Sequence, residues 1–330
     1  MSFGGPERPE DLIAFLENVT RGRNVPAERL AEVATQYDSL GGKSPINDQN
    51  RSLIAALEVE LAANDINLKI YFGNRNWHPL VADTAQQMVD DGVRNALVFV
   101  TSAFSSYSGC RQYRDDLVAA AASASAPLAL HKLRPFWNHP GFVETMVQRV
   151  DEAIGAFDSS SVVDLRVVFS AHSIPTSMAA TSDYVDQLHD AARLIMARID
   201  RADVPFDLVF QSRSGPPHVP WLEPDVRGHL RTLAIEGSAA AVALVPLGFL
   251  SDHQEVVYDL DIGAREVAES CGLTLIRAAT AGTHPRFVTM IRELIEEQLL
   301  EGVEPLSLGP FEPRQGSCAV NCCPAPQPRR

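Results

Sequence analysis

His172 ends an apolar β-branched run, Val167-Val-Phe-Ser-Ala-His172, that stops at Ser173-Ile-Pro175. Some eighty residues on, a second run, Leu247-Gly-Phe-Leu-Ser-Asp-His253, leads into Glu255 and Asp259. In an open α/β sheet the carboxyl ends of strands are where ligands bind, so each run sets titratable groups where chemistry is done. A neutral imidazole beside a carboxylate can take protons or hold a borderline divalent metal. Structural readings stand beside these. His172 between small neighbours can be a hydrogen-bonded strand end. Asp252 and Glu255 fit the spacing of a capping box, with Asp in place of Ser or Thr. Asp252, Glu255 and Asp259 recur at helical spacing, as on a solvated face or an acidic ladder leading outward.

The elements around them alternate. Strands are predicted at Leu68–Phe72, Ala96–Thr101, Leu165–Phe169, Leu208–Phe210 and Ala240–Val245. Helices are predicted at Pro9–Asn18, Thr84–Asp91, Asp115–Ala122, Asp183–Arg198 and Pro285–Leu300. This order predicts an α/β fold with largely parallel sheets and helices on both faces. The pattern runs twice, with a break near residues 135 to 150. Two similar halves are expected, residues 1–145 and 146–305, followed by a Cys-, Pro- and Gly-containing extension over 306–330. Ser2-Phe-Gly-Gly-Pro6 reads as the loop that follows a strand, and that strand is missing. A start recorded too late is the favoured explanation, because a sheet without a central parallel strand leaves backbone groups unpaired.

A formal net charge of −14 over 330 residues argues against a nucleic-acid partner. No apolar run has the roughly twenty residues a bilayer span needs, and no signal peptide opens the chain, so a cytoplasmic protein is expected; a monomer is expected, though nothing in the sequence sets the oligomeric state. Gly41-Gly-Lys-Ser-Pro45 lacks the first glycine of a phosphate loop, so no nucleotide is expected. Thr20–Arg23, Gly41–Pro45, Ser105–Tyr113 and Gln211–Pro216 are polar loops rich in Ser, Tyr and Arg. Together they point to a broad cleft for a ligand with several acidic groups, with Arg21, Arg23, Lys43 and Arg213 as available cations. Cys318, Cys322 and Cys323 crowd the tail, apart from Cys110 and Cys271. In a reducing compartment such a cluster reads as a metal site before a disulfide framework.

These segments carry a resemblance. With Tyr71-Phe-Gly-Asn74, Trp221-Leu-Glu-Pro224 and Gly248–Tyr258, the chain resembles the ferrochelatases over almost its whole length, most closely the actinobacterial type acting on coproporphyrin. The resemblance implies insertion of Fe(II), a substrate, into coproporphyrin III held in a cleft between two Rossmann-like domains; protoporphyrin IX is the alternative. It puts the metal site on His172 and Glu255, with His172 as proton acceptor, and leaves open whether Glu255 guides iron in or protons out. It puts porphyrin contacts on Ser44 and Tyr113, and more loosely on Tyr37 and Arg21. Some relatives carry a tyrosine where Phe3 stands, so a hydroxyl contact to iron is lost here. It implies a [2Fe–2S] cluster on Cys318, Cys322 and Cys323; the fourth ligand is left open between Cys110 and Cys271, and because Cys271 matches a cysteine that is not a ligand in relatives, Cys110 is the choice.

Overall fold

The computed structural model describes residues 1–22, 25–158, 164–201, 203–314, 318–319 and 321–325. In the first half, α1 (Leu12–Val19), α2 (Ala27–Thr35), α3 (Ile46–Ala63) and α4 (Val81–Asp90) precede β1 (Asn95–Val98). Helix α5 (Gln112–Ser123) then crosses to β2 (Ala129–Lys132), which pairs with β1 in parallel from Asn95↔Ala129 to Val98↔Lys132. Helix α6 (Pro140–Gly155) leads into the second half, where β3 (Leu165–His172) is followed by α7 (Thr176–Ala179) and α8 (Tyr184–Met196). Next come β4 (Phe206–Gln211), α9 (Val226–Glu236), β5 (Ala241–Val245), α10 (Gln254–Val256), α11 (Arg265–Ser270), β6 (Thr274–Arg277) and α12 (Pro285–Leu299). The second sheet is parallel throughout, in the order β4-β3-β5-β6. Strand β3 is central, and Val167 to Ala171 are inaccessible to solvent, as an unbroken apolar run covered on both faces should be.

The expected boundary at 145/146 falls inside α6. One core runs through both halves, joining Leu57 and Leu61 of α3 to Phe142 and Met146 of α6 and Ile291 of α12. Arg134 reinforces this junction. Its Nε and Nη2 donate to Glu297 of α12 at 2.7 Å each, both side chains almost wholly buried, and Nη2 also donates to the Leu306 carbonyl at 2.8 Å. The extension that begins there is strapped down rather than trailing. Leu308 N donates to Asn138 O at 2.8 Å, and Phe311 packs edge-on against Trp137.

One predicted strand is corrected. Leu68–Phe72 has no ladder partner and lies across an apolar slot from β1. Among the described residues no strand pairs with it, and strand-like composition alone does not make a ladder.

Candidate active site

Strand β3 carries His172 to its carboxyl end, in register with Gln211 of β4. Tyr184 fixes the backbone there by donating its hydroxyl to the His172 carbonyl at 3.0 Å. His172 Nδ1 lies 2.5 Å from the Ser173 carbonyl. A carbonyl only accepts, so the proton sits on Nδ1 and the lone pair of the neutral ring is on Nε2. Nε2 faces Glu255 Oε1 at 3.7 Å.

Glu255 reaches this position because the segment after β5 turns hard against β3. Gly248 N donates to the Ser170 carbonyl at 3.0 Å, and a Cβ at Gly248 would stand 2.8 Å from Ala171 Cα, so only glycine allows the approach. The capping-box reading of Asp252 and Glu255 is corrected. The N-cap is His253, whose Nδ1 accepts from Glu255 N at 3.1 Å and Val256 N at 3.4 Å. Asp252 instead accepts from Arg277 at 2.9 Å, and its backbone is clamped by Gln49 of α3. The Glu255 carboxylate is thereby spared from capping. Beyond it the helix widens into a π-turn over Val257–Ala264, a deviation that recurs at functional sites. The turn holds Asp259 against the Ser212 hydroxyl at 2.5 Å and Arg227 at 3.4 Å.

The charges are coupled. Burial opposes ionisation of Glu255, but His172 and then His253 outweigh it and hold the carboxyl down at about 2. Burial likewise pushes the His172 imidazole down, yet Glu255 and the Ser173 carbonyl raise it above its ordinary value. Asp259 is raised, by burial first and then by Glu255. Each group of the pair thus favours the charged form of the other.

Most of the other candidate residues lie in the first half. Tyr37 is buried, edge-on to Phe15 at 6.4 Å, and its phenol is raised by burial and then by the charge of Glu255. Ser44 is buried under the Ser2–Pro6 loop: its N donates to Pro6 O at 2.8 Å, and a Cβ at Gly5 would meet Ser44 Cβ at 2.7 Å. Phe3 is 40 % exposed beside Phe15. Tyr113 packs with Val98, Val100 and Leu117 beneath Arg75, in the core of the first half. Arg21 is exposed on the turn after α1 and Lys43 is exposed, whereas Arg213 donates to the carbonyls of Pro216, Pro217 and Val219. Arg23 lies outside the described residues. Sequence reasoning missed His253 as a cap, Phe249 between the two histidines, and Gln211, whose Nε2 donates to the Glu255 carbonyl at 3.2 Å. Gln211 was within reach of the strand-end rule that picked out His172.

The ferrochelatase family model matches residues 1–299. The chain belongs to the ferrochelatase family. It is 50 % identical over 338 residues to the coproporphyrin III ferrochelatase of Frankia alni, covering 99 % of this chain and 86 % of that one. It is 47 % identical to the Streptomyces coelicolor protein of the same name, covering 100 % and 93 %. Among solved structures it is similar to SirB from Bacillus subtilis with Fe3+, at TM-score 0.55 and 13 % identity, over 77 % of this chain and 92 % of that one. A multi-domain Deinococcus radiodurans protein with structural similarity to chelatases gives TM-score 0.51 at 16 % identity, over 75 % of this chain and 50 % of that one. These two likenesses agree with the chelatase-type α/β fold of the family.

The extension lies beyond the matched region, and its cysteines converge. Cys318, Cys322 and Cys323 line one small cavity with Cys110, Arg111, Arg114 and Lys132. Cys110 is carried there by a second π-turn, Tyr107–Arg111, capped by the Ser106 hydroxyl. Arg111 and Arg114 hold the tail by donating to the carbonyls of Cys322 and Cys318 at 3.3 and 3.2 Å. A hydrogen bond from Cys318 and the nearby Lys132 bring the Cys110 thiol down to about 6 against burial, while Cys318 is raised by the same pairing. Among the described residues no group of three or more His, Cys, Asp or Glu side chains is drawn up as a metal centre. Four cysteines and three cationic residues thus line the same cavity. Cys271 sits apart at the end of α11.

Proposed function

We propose that the protein inserts Fe(II) into coproporphyrin III, releasing two pyrrole protons and giving the iron porphyrin. The reading is carried by His172 Nε2 facing Glu255 Oε1 at 3.7 Å. Insertion requires that two pyrrole N–H protons leave, that iron shed water, and that the flat ring bend to expose its nitrogens. A surface complementary to the bent ring lowers that barrier more than it stabilises the relaxed substrate. His172 Nε2 accepts a pyrrole proton as general base, its Nδ1 proton held by Ser173. Ionised Glu255 attracts the dication, and Asp259, one helical turn further on, is bonded to the Ser212 hydroxyl. Tyr37, Ser44 and Arg21 contribute the opposing surface, with Tyr113 behind it. The choice of coproporphyrin follows relatives 45 to 50 % identical that carry that substrate in their names. Under this reading the enzyme works as a cytoplasmic monomer and uses no nucleotide; among the described residues no helix is long and apolar enough to cross a membrane.

Mixing the protein with Fe(II) and coproporphyrin III without oxygen is expected to quench porphyrin fluorescence catalytically, with slower turnover of protoporphyrin IX. Tight haem binding without metallation would indicate a haem carrier instead. Preferential Co(II) insertion into a sirohydrochlorin-type ring would indicate the other chelatase class.

Cys110, Cys318, Cys322 and Cys323 would hold a [2Fe–2S] cluster. Its contribution is structural or regulatory, because insertion transfers no electron. The purified protein is expected to be reddish with sulfur-to-iron charge-transfer absorption, and Cys110→Ser to lose both. A colourless anaerobic preparation without iron or sulfide removes the cluster.

A further inference from the structure

One side chain joins the two halves close to Glu255. Gln49 stands in the first turns of α3, shortly after Ser44. Its Oε1 accepts from Asp252 N at 2.7 Å, and its Nε2 donates to Asp252 O at 3.2 Å. A primary amide carries an acceptor and a donor side by side. Gln49 therefore pairs with Asp252 as a residue on a neighbouring antiparallel strand would, exchanging both bonds. Among the described residues no other first-half side chain hydrogen-bonds the segment 247–264.

Asp252 needs such a partner. His253 N donates to Ser251 O at 3.1 Å, closing a three-residue turn with Asp252 at its centre. The turn leaves the N–H and carbonyl of Asp252 to bond outward, and in this half-buried position leaving them unpaired would be costly. The next residue is the cap: His253 holds the amides of Glu255 and Val256. Arg277, at the end of β6, grips the carboxylates of Asp252 at 2.9 Å and Asp261 at 2.6 Å, on either side of Glu255 in the chain. The segment is thus braced within its own half, and Gln49 sets where the braced unit stands relative to α3. The support at the other end is equally firm. Asn47, buried in the same turn of α3, donates to Glu7 Oε1 at 2.9 Å and to the His78 carbonyl at 3.1 Å, and accepts from Asn74 at 3.1 Å.

We propose that Gln49 is a positioning residue for metal insertion: through the backbone of Asp252 and the His253 cap it holds Glu255 at the separation from His172 at which the dication is received. The inference rests on the Fe(II)-insertion reading above. Its physical basis is that a carboxylate on a short helix of three residues is only as well placed as the start of that helix. The start is set by His253, His253 follows directly on Asp252, and Asp252 is fixed from the first half by the Gln49 amide. Misplacing a reacting group by a fraction of an ångström to one ångström is costly to catalysis even when the group itself is intact.

Gln49→Met keeps the side chain's length and helix preference and removes both bonds. Anaerobic insertion kinetics are expected to show KM for Fe(II) raised about fivefold, as loss of one or two net hydrogen bonds implies, with a smaller change in kcat and an unchanged Kd for coproporphyrin III. In a Glu255→Gln background the same substitution is expected to add nothing to KM, because a residue that acts through Glu255 has nothing left to position. A merely structural role gives the same loss in both backgrounds. Amide hydrogen exchange at Glu255 and Val256 is expected to quicken severalfold in Gln49→Met, with β3 and β5 unchanged. Should Gln49→Met fail to fold, Gln49→Asn, one methylene short of Asp252, is read in the same way. Unchanged exchange at Glu255 and Val256, or an additive loss in the double variant, overturns the proposal. A native chain that inserts no iron takes down the insertion reading by itself, and the exchange measurement then decides alone whether Gln49 holds Glu255 in place.

Discussion

His172→Ala is expected to abolish measurable turnover while the porphyrin still binds with nearly unchanged affinity. A positioned general base contributes roughly 10²- to 10⁴-fold, and among the described groups His172 Nε2 alone combines a free lone pair, fixed by the Nδ1 bond to Ser173, with a position beside an ionised carboxylate. Binding should survive because the proposed porphyrin surface is built mostly from the other half, around Phe3, Tyr37 and Ser44. The fold should also survive, since the His172 ring is one-third exposed and its backbone is held by β4 and Tyr184. Fluorescence quenching on titration measures binding, and anaerobic Fe(II) insertion measures kcat. Near-normal insertion by this variant would sink the mechanism. Lost porphyrin binding would recast His172 as a binding residue.

Much of this arrangement was legible in the chain, for identifiable reasons. Strands β3 and β5 are nearly continuous apolar runs, because both faces are covered, and their ends are marked by a sharp change to small and polar residues. That change points to His172 and to the segment of Glu255 without any structure. Helices with one apolar face, such as α8 and α12, came within two residues of their bounds. Other features are set by tertiary contact and leave no local sign. Strands β2 and β6 are four residues each, too short for a pattern to outweigh their surroundings. Leu68–Phe72 has strand composition but no ladder, because ladders depend on what lies alongside. The cap at His253 was hidden because imidazole is an uncommon cap and Asp252 offered a commoner one. The convergence of Cys110 on the tail depends on a π-turn and two arginine–carbonyl bonds across some two hundred residues.

The charge of Glu255 favours a role with iron over one with protons. A carboxyl held at about 2 is a poor proton relay near neutral pH and a good ligand for a dication, whereas Asp259, raised by its burial, is better suited to passing protons. Glu255→Gln should therefore raise KM for Fe(II) about tenfold or more, roughly 1.4 kcal/mol of lost cation attraction, and lower kcat less. It should also move the pH profile. Glu255 holds the His172 pKa above its ordinary value, so in the native enzyme the base form appears only as pH rises through that raised pKa, and activity falls below it. Without the carboxylate, burial dominates and pushes His172 down, so the acid limb of kcat/KM moves to lower pH. A Glu255→Gln enzyme with unchanged KM for Fe(II), a kcat loss at every iron concentration and an unmoved acid limb would reassign the residue to the outward proton path.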